Sequence, residues 1–351
     1  GGMRSEVLDG IARAALCRQY TRDMLRWASG ETKPLVDVGT WGWLIGRYRS
    51  DEFSPFQEVK ENTRDDYRFS LGRWENAIGK TRITETDLPE IKRWQRAMQD
   101  NRRSVSYIKR MFTVLRIVAG YGKQLRADGA RDVVDILSEM RIKSPRPRTI
   151  APSEAQVLAV IAKADDAGDT AFALGISLQW WLTLRAVDVR GQYLGKGSNA
   201  RWADGLTWDM IDRDITTLTK TPSKTEQSLP DALVYDLTLL PDVRARLQDI
   251  PLDQRVGPVI RDQRGRPYDK RKWARTWRKH ADAAGLPEEL KMMDTRAGAL
   301  SHARRLGVSG FDLRDQANHA SIETTNRYIR GKNDTVNNVI ALRTGTMKQH
   351  G

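Results

Sequence analysis

The sequence predicts a mainly α-helical protein with a small β-sheet, and three observations lead to this fold class. Apolar residues recur at helical spacing through most of the 351-residue chain, which is the pattern of amphipathic helices. Strand-like runs bounded by turn residues are found in the second half of the chain. A basic segment that contains two prolines separates the two halves. We therefore expect a helical domain followed by an α+β domain.

The first half of the chain contains helical patterns and little sign of strands. Residues 1–35 are expected to form a helical appendage that ends at the break around Pro34. Four further helices are expected in residues 36–142, the last of them a long helix that starts near Ser104, and together they predict a small helical domain. Their apolar faces consist of Trp41, Leu44, Ile45 and Tyr48; of Tyr67, Leu71, Trp74 and Ile78; of Ile91, Trp94 and Met98; and of Ile108, Met111, Leu115, Val118 and Tyr121.

Residues 143–151 are interpreted as a linker, because Pro145 and Pro147 cannot continue a helix and the basic residues beside them favour solvent or phosphate groups. The second domain, residues 152–351, is expected to begin with Ser153 as the cap of a new helix. A β-hairpin is expected farther along, with strands at 215–219 and 228–230 around a turn at 221–224. Helices return from about residue 270 and continue to the C-terminus.

The formal net charge of +14 is unevenly distributed along the chain. Basic side chains outnumber acidic ones in residues 101–150 and 251–351, whereas acidic side chains prevail in residues 151–250. Two basic blocks separated in this way fit two DNA-facing surfaces. A soluble exterior rich in arginine would have the same composition, so charge alone does not decide between them.

Composition excludes several classes of protein and site. The single cysteine, Cys17, rules out a disulfide framework, and the four histidines lie too far apart in sequence to form a metal-ligand pair. We therefore expect no cofactor and no metal. No apolar stretch of the sequence approaches the length of a membrane span, and no signal peptide is expected before Met3. The sequence predicts a soluble protein of a reducing compartment, the cytoplasm.

Two groups of polar residues in the second half are candidates for chemistry. Arg185 follows a strongly apolar helix, and Asp188 is spaced to pair with it on one face while leaving guanidinium donors free. Lys224 lies at the predicted hairpin tip, from which a flexible ammonium can reach into a partner's groove. Taken singly, a structural ion pair and a solvated turn lysine are the alternatives.

Further candidates lie nearer the C-terminus. Arg296 is in a helix of small residues, where close packing would direct its guanidinium. His319 precedes the start of a helix, and Tyr328 lies near the end of that helix. Taken singly, a capping histidine and a packing tyrosine are the ordinary alternatives.

Taken together, these residues resemble the motifs of the tyrosine recombinases, the integrases of phages and related elements. The resemblance covers roughly residues 150–335 in order and spacing, and its most specific part is the final Thr-Thr-x-x-Tyr motif. The helical domain, through its segments 41–44 and 62–67, resembles the core-binding domain of that family. The matching segments of the catalytic domain are 183–188, 224–225, 294–296, 317–319 and 324–328.

The resemblance implies a site-specific recombinase that cuts and rejoins DNA through a 3′-phosphotyrosine intermediate. Tyr328 is then the nucleophile, and Arg185 and Arg296 clamp the non-bridging oxygens of the phosphate. His319 is expected to hydrogen-bond one of these oxygens. Lys224 is expected to protonate the leaving 5′-oxygen.

Two positions leave alternatives within this scheme. Lys220 is the alternative to Lys224 as the proton donor. Met293 stands where the family has a histidine, and a thioether can neither donate a hydrogen bond nor move a proton. This departure bears on how Tyr328 loses its proton.

The resemblance also implies a biological setting. Integration and excision of a phage or another mobile element is the expected role, in the cytoplasm and nucleoid of a bacterial host. The expected partners are double-stranded recombination sites, on which a monomeric protein assembles as a homotetramer, with an accessory DNA-bending protein where the site requires one. Val336, Val339, Ile340 and Leu342 indicate a terminal helix that docks in its own domain or in a neighbour's.

Two other functions stay open at this point. One is a catalytically weakened DNA-binding protein of the same fold, which the methionine at position 293 would favour. The other is a type IB topoisomerase or resolvase that uses the same strand-passing chemistry.

Overall fold

The structure, a computed structural model, describes residues 17–18, 21, 24–25, 37–195, 197–224 and 232–330. The described residues fall into two compact units, divided between Pro145 and Arg146. The predicted appendage, residues 1–35, lies mostly outside the described residues, and the predicted terminal helix lies wholly outside them.

The first unit contains six α-helices among the residues described. Ser104 accepts a hydrogen bond from the amide of Tyr107 at 3.2 Å, so the longest helix begins where the sequence predicts. The four predicted helices are confirmed as α1, α3, α4 and α5, whereas α2 and α6 are additional. The helices are α1 (Trp41–Ser50), α2 (Pro55–Glu58), α3 (Glu61–Ile78), α4 (Leu88–Asp100), α5 (Val105–Gln124) and α6 (Ala130–Glu139).

Aromatic residues form the centre of the first unit's core. Trp41 and Trp74 are almost fully buried, and the ring of Phe112 meets that of Trp74 edge-on with centroids 5.5 Å apart. Trp41 donates its indole N–H to Thr86 Oγ1 at 2.9 Å, and Trp74 donates to the carbonyl of Met111 at 2.8 Å. Both indole N–H groups are satisfied, and the two rings belong to a hydrophobic core formed within the first unit.

The second unit combines eight α-helices with two short antiparallel sheets among its described residues. The expected fold class, mainly α with little β structure, is confirmed. Ser153 caps the first of these helices through a reciprocal pair of bonds with Gln156, as its position predicts. The helices are α7 (Glu154–Asp166), α8 (Thr170–Trp181), α9 (Ala186–Arg190), α10 (Pro241–Gln248), α11 (Lys270–Ala283), α12 (Thr295–Arg305), α13 (Gly310–Gln316) and α14 (Ile322–Asn326).

The β structure includes strands that the prediction lacks. A hairpin that the sequence does not reveal pairs β1 (Gln192–Leu194) with β2 (Arg201–Ala203), each only three residues long. Near the predicted hairpin, the described strands are β3 (Thr217–Lys220) and β4 (Leu233–Asp236), which pair with each other, and the predicted second strand, residues 228–230, lies outside the described residues. The sequence Leu-Val-Tyr at 233–235 suits a strand. Residues 225–231, between the strands, lie outside the described residues.

α8 is the most buried helix of the second unit and positions its neighbours. Trp273 of α11 approaches it so closely that a Cβ atom on Gly175 would lie 2.5 Å from the indole ring. Gly298 of α12 makes a similar approach to Trp180, where a Cβ atom would lie 2.8 Å from the ring. α8 therefore sets the position of α12, the helix that carries Arg296. None of the helices in the described ranges is long and apolar enough to cross a bilayer.

Candidate active site

Tyr328 lies two residues beyond α14 and contacts two other candidate residues. Its ring stacks on that of His319, with centroids 5.1 Å apart and planes inclined by 23°. The guanidinium carbon of Arg296 lies 5.6 Å from the centroid of the same ring, within the range of a cation–π contact. The amide of Tyr328 donates to the carbonyl of Thr325 at 2.9 Å, which fixes the turn after α14. The structure therefore brings three of the predicted residues together.

Arg296 is buried in the first turn of α12 and is held by backbone carbonyls. It is 5% exposed, and its two terminal nitrogens donate to the carbonyls of Thr183 and Ala317. Thr183 has a φ of +51°, an unfavourable value for a β-branched residue. Burial, and next the charge of Arg185, lower the pKa of Arg296 to about 10. The guanidinium thus keeps its charge at neutral pH.

His319 uses both ring nitrogens within the site. Nε2 lies 3.0 Å from a terminal nitrogen of Arg296, and Nδ1 lies 3.0 Å from Thr325 Oγ1. Because Arg296 can only donate, Nε2 is the acceptor and the ring proton is assigned to Nδ1. Burial, followed by the charges of Arg296, Arg185 and Lys224, lowers the pKa of His319 to about 3. His319 is therefore neutral at physiological pH, and its Nε2 has no proton to give to a phosphate in this arrangement.

Arg185 and Asp188 lie at the start of α9. Arg185 is the N-cap residue, and its terminal nitrogen lies 3.9 Å from a carboxylate oxygen of Asp188. The apolar helix before it, α8, already ends at Trp181, so Arg185 follows a short loop rather than the helix itself. The other oxygen of Asp188 accepts hydrogen bonds from the amide and the hydroxyl of Ser223, both at 2.8 Å. Asp188 thus connects Arg185 to the loop of the β3–β4 hairpin.

The two candidate lysines have very different surroundings. Lys224 is exposed and directly follows Ser223, and its charge is one of those that lower the pKa of His319. Lys220 is 3% exposed, and its ammonium donates to the carbonyls of Asp204 at 2.7 Å and Gly205 at 3.1 Å. Lys220 therefore fixes the backbone that directly follows β2, whereas Lys224 is accessible to a ligand.

Four buried polar atoms around these residues have no hydrogen-bond partner among the residues that the structure describes. They are Arg185 Nη1, Asp188 Oδ2, Arg296 Nε and the hydroxyl of Tyr235. Buried polar atoms without a partner are uncommon in folded proteins and are typical of sites that bind a ligand or ordered water. The two arginine N–H groups suit an anion with several oxygen atoms, such as a phosphate.

No protein-family model matches the sequence, and no curated protein sequence matches it either. Solved structures do match. A lambda integrase dimer bound to a COC′ core site gives a TM-score of 0.65 at 14% identity, covering 90% of this chain and 86% of that one. A lambda integrase tetramer bound to a Holliday junction gives 0.65 at 14% identity, covering 94% and 88%. The Tn1549 transposon integrase in complex with circular intermediate DNA gives 0.59 at 13% identity, covering 83% and 95%.

The chain has the tyrosine recombinase fold. All five residues predicted for the catalytic role lie in the second unit of this fold. Arg296, His319 and Tyr328 contact one another, whereas Arg185 is linked through Asp188 to Ser223, the residue before Lys224. Within the described ranges, no group of three or more His, Cys, Asp or Glu side chains is arranged to hold a metal ion.

Met293 stands where the sequence resemblance implies a histidine. The residue is 66% exposed. The residue after it, Asp294, is 3% exposed in its side chain and forms a bidentate pair with Arg148, with Nε and Oδ1 2.7 Å apart. The amide of Lys291 donates to the other carboxylate oxygen at 2.9 Å. An ion pair to the segment before α7 thus fixes the start of α12, while the methionine beside it contributes no polar group.

Sequence reasoning missed Ser223 and Tyr235 as parts of this candidate site. Ser223 is an ordinary turn residue by sequence, and only its bonds to Asp188 reveal a role. Burial raises the pKa of Tyr235, while the charge of Arg296 acts in the opposite direction and that of Asp188 in the same one. The alternation of residues in β4 would have placed Tyr235 on the inner face of the hairpin once that strand was correctly located.

Proposed function

We propose that the chain is a tyrosine recombinase that cuts and rejoins double-stranded DNA through a covalent 3′-phosphotyrosine. The observation that carries the proposal is the contact of Tyr328 with both His319 and Arg296 in the same unit as Arg185. The lambda and Tn1549 integrases, whose fold this chain shares, are bound to DNA in their structures. The contacts of Tyr328 and the shared fold together support this reaction.

The charges of the site suit the transition state of phosphoryl transfer. Attack on a phosphodiester places additional negative charge on the non-bridging oxygens. Arg185 Nη1 and Arg296 Nε have no hydrogen-bond acceptor among the described residues, and these N–H groups can stabilise that charge where it develops. In a buried site such donors are more effective than in water.

The reaction conserves the energy of the phosphodiester bond. The Tyr328 hydroxyl gives its proton to water as its oxygen bonds to phosphorus and the bond from phosphorus to the 5′-oxygen breaks, which leaves a phosphotyrosine and, after protonation, a free 5′-hydroxyl. Lys224 is our choice for the donor of the proton that the 5′-oxygen needs, because it is exposed whereas Lys220 is bound to two carbonyls. Attack of a 5′-hydroxyl on the phosphotyrosine reverses the step and rejoins the strand.

The first unit carries a surface that suits the DNA backbone. Phe69, 46% exposed, lies between the guanidinium groups of Arg73 and Arg110, whose central carbons are 5.5 and 5.4 Å from the ring centroid. Tyr107 is approached by Arg103 at 5.5 Å and by Arg110 at 6.0 Å. Stacking on the rings holds the guanidinium groups at the surface, where they can contact phosphates. We propose that this face of α3 and α5 binds DNA.

The biological role and the assembly are further parts of the proposal. We infer that the protein integrates and excises a phage or another mobile element, and that it acts as a tetramer on paired DNA sites. The lambda integrase structures include a dimer on a core site and a tetramer on a Holliday junction. Residues 335–351, predicted to dock in their own domain or in a neighbour's, lie outside the described residues.

A catalytically weakened DNA-binding protein is the second candidate function. Two observations favour it: Met293 supplies no polar group, and both terminal nitrogens of Arg296 already donate to backbone carbonyls. Under this alternative the first unit binds DNA as proposed, but no covalent complex forms.

A nicked suicide DNA separates the two functions, because cleavage near the nick releases a short fragment and leaves the protein covalently attached. We expect an adduct with the unmodified protein and none with Tyr328→Phe, which loses only a hydroxyl and should bind DNA equally well. Tyr193→Phe is the matched control, since Tyr193 is an exposed tyrosine of β1 and should leave the adduct unchanged. An adduct from the Tyr328→Phe protein would refute the assignment, and none from the unmodified protein would favour the second candidate.

A further inference from the structure

The backbone that follows Tyr328 lies against α12 and its neighbour α13. Tyr328 and Ile329 pack against a small apolar cluster of Leu300, Leu313 and Ala317. Apolar contacts of this kind are non-directional, so they set the approximate place of the segment and not its exact register. A hydrogen bond to the same backbone defines the position of the nucleophile more narrowly.

Ser301 of α12 makes this hydrogen bond. The residue is 2% exposed, and its Oγ accepts a hydrogen bond from the amide of Arg330 at 2.8 Å. The same oxygen lies 2.6 Å from the carbonyl of Ala297 and 3.4 Å from that of Tyr328, and these are the two acceptors for its single proton. The hydroxyl therefore contacts the peptide groups on both sides of Ile329.

Ser301 also shares a helix with Arg296, which gives the contact a consequence for the reaction. The two residues are five positions apart, a rise of about 7.5 Å at 1.5 Å per residue along a continuous helix. Arg296 lies over the ring of Tyr328, while Ser301 holds the backbone just beyond it. α12 thus carries both Ser301, which holds the backbone next to Tyr328, and Arg296, whose guanidinium contacts the ring of Tyr328.

We propose that Ser301 is a positioning residue, which sets the Tyr328 hydroxyl relative to the guanidinium of Arg296. It does so through the backbone at Tyr328 and Arg330 and makes no contact with the reacting atoms. The proposal rests on the cleavage reaction proposed above and adds a residue to it. In-line attack tolerates little displacement of the nucleophile, and a shift of 1 Å can cost about a hundredfold in rate.

Ser301→Ala removes the hydroxyl and little else. We expect its cleavage rate at saturating DNA to fall about 10- to 100-fold, because the Arg330 amide loses its acceptor and the segment of Tyr328 is less well defined. The DNA concentration that gives half of this rate should not change, since a buried serine does not reach the DNA. Ser301→Cys keeps a weaker acceptor and should cleave at a rate between those of the alanine variant and the unmodified protein.

Ser177→Ala is a matched control for the loss of a buried helical serine. Ser177 of α8 is 5% exposed, and its hydroxyl donates to the carbonyl of Ala173 at 2.9 Å, the residue four positions before it. Ser301 makes the same type of bond to Ala297. Ser177 has no contact with the segment of Tyr328 among its described hydrogen bonds, so its variant reports the structural cost alone.

The measurement is single-turnover formation of the covalent adduct on a nicked suicide DNA at several DNA concentrations. All variants are assayed well below their melting temperatures. A lower plateau rate for Ser301→Ala, an unchanged half-saturating concentration and a normal rate for Ser177→Ala support the proposal. A plateau rate for Ser301→Ala or Ser301→Cys equal to that of the unmodified protein overturns it, and so does an equal loss in Ser177→Ala.

The Tyr328→Phe variant keeps the two proposals distinguishable. If this variant still forms the adduct, the assigned reaction is wrong whatever Ser301 does. If it forms none and Ser301→Ala cleaves normally, the reaction stands and only the positioning role fails.

Discussion

The two sides of the candidate active site are built in different ways. On one side, Arg296, His319 and Tyr328 pack on one another, and the first two are almost fully buried with bonds to backbone or side chains. On the other side, Lys224 is exposed, and the loop that carries it is bonded to Asp188 through the residue before it. Dense, satisfied contacts give a region high local stability. We infer that the first side is preorganised, whereas Lys224 on the other side is exposed to an incoming ligand.

Among the variants that keep the Tyr328 hydroxyl, Lys224→Ala should have the largest effect on the reaction. Loss of a general acid lowers the rate about 10²- to 10⁴-fold, while an exposed side chain contributes little to the free energy of unfolding. A DNA in which sulfur replaces the bridging 5′-oxygen should restore cleavage, because a thiolate leaves without a proton. The check is the adduct rate on both substrates, and failure of the sulfur substrate to restore it would argue against the general-acid role.

Lys220→Ala is the counterpart that separates the two lysines. We expect it to lower the free energy of unfolding by about 1–3 kcal/mol, because the carbonyls of Asp204 and Gly205 lose a buried donor. The cleavage rate of the folded variant should change little, and sulfur in the DNA should have no special effect on it. The opposite pattern would exchange the roles of Lys220 and Lys224.

Arg296→Lys tests the preorganised side. An ammonium cannot bridge the carbonyls of Thr183 and Ala317 as a guanidinium does, and the loss of a fixed donor costs about 10²- to 10³-fold in rate. Arg305→Lys is the control, because Arg305 is exposed on the same helix. Adduct rates at saturating DNA measure the effect, and a nearly normal rate for Arg296→Lys would mean that the position of the charge is not critical.

The last expected effect is on stability at low pH and leaves cleavage at neutral pH unchanged. Burial and neighbouring cations lower the pKa of His319 from 6.5 to about 3. Between these values the unfolded chain binds a proton that the folded chain does not, so the free energy of unfolding falls as the pH falls below 6.5. The contribution is at most about 1.4 kcal/mol per pH unit.

His319→Gln should remove this part of the pH dependence, because glutamine does not titrate. Denaturant unfolding at pH 7.5, 5.5 and 4.5 measures it, with His302→Gln as the control, since His302 is only partly buried beside Glu154. An unchanged pH dependence in the His319→Gln protein would show that folding does not lower the pKa of His319.

The sequence predicts the parts of the site that depend on local spacing. His319 and Tyr328 flank one short helix, α14, so their proximity follows from the chain between them. The partners of Arg296 could not be predicted in this way, because Thr183 lies 113 positions away in sequence and no local pattern joins the two. The same holds for the pair of Arg148 with Asp294, which lie 146 positions apart.

The two lysines show a second limit of the sequence. Lys220 and Lys224 lie four residues apart beside one turn, and nothing in that segment indicates which of them is buried. The acceptors of Lys220 belong to the end of the β1–β2 hairpin, which is too short to be recognised from its residues. Helix positions were predicted well because their periodic faces are long, whereas strands of three or four residues offer too few positions to establish a period.

The most direct test of the central claim is to identify the amino acid that is joined to DNA. After reaction with a nicked suicide substrate, the DNA is digested and the protein is treated with trypsin. Because trypsin cleaves after Arg327 and after Arg330, it should release the peptide Tyr-Ile-Arg. Mass spectrometry should find this peptide carrying a nucleotide through the 3′-phosphate. A nucleotide on any other peptide, or one attached through a 5′-phosphate, would contradict Tyr328 as the nucleophile and the preorganised site built around it.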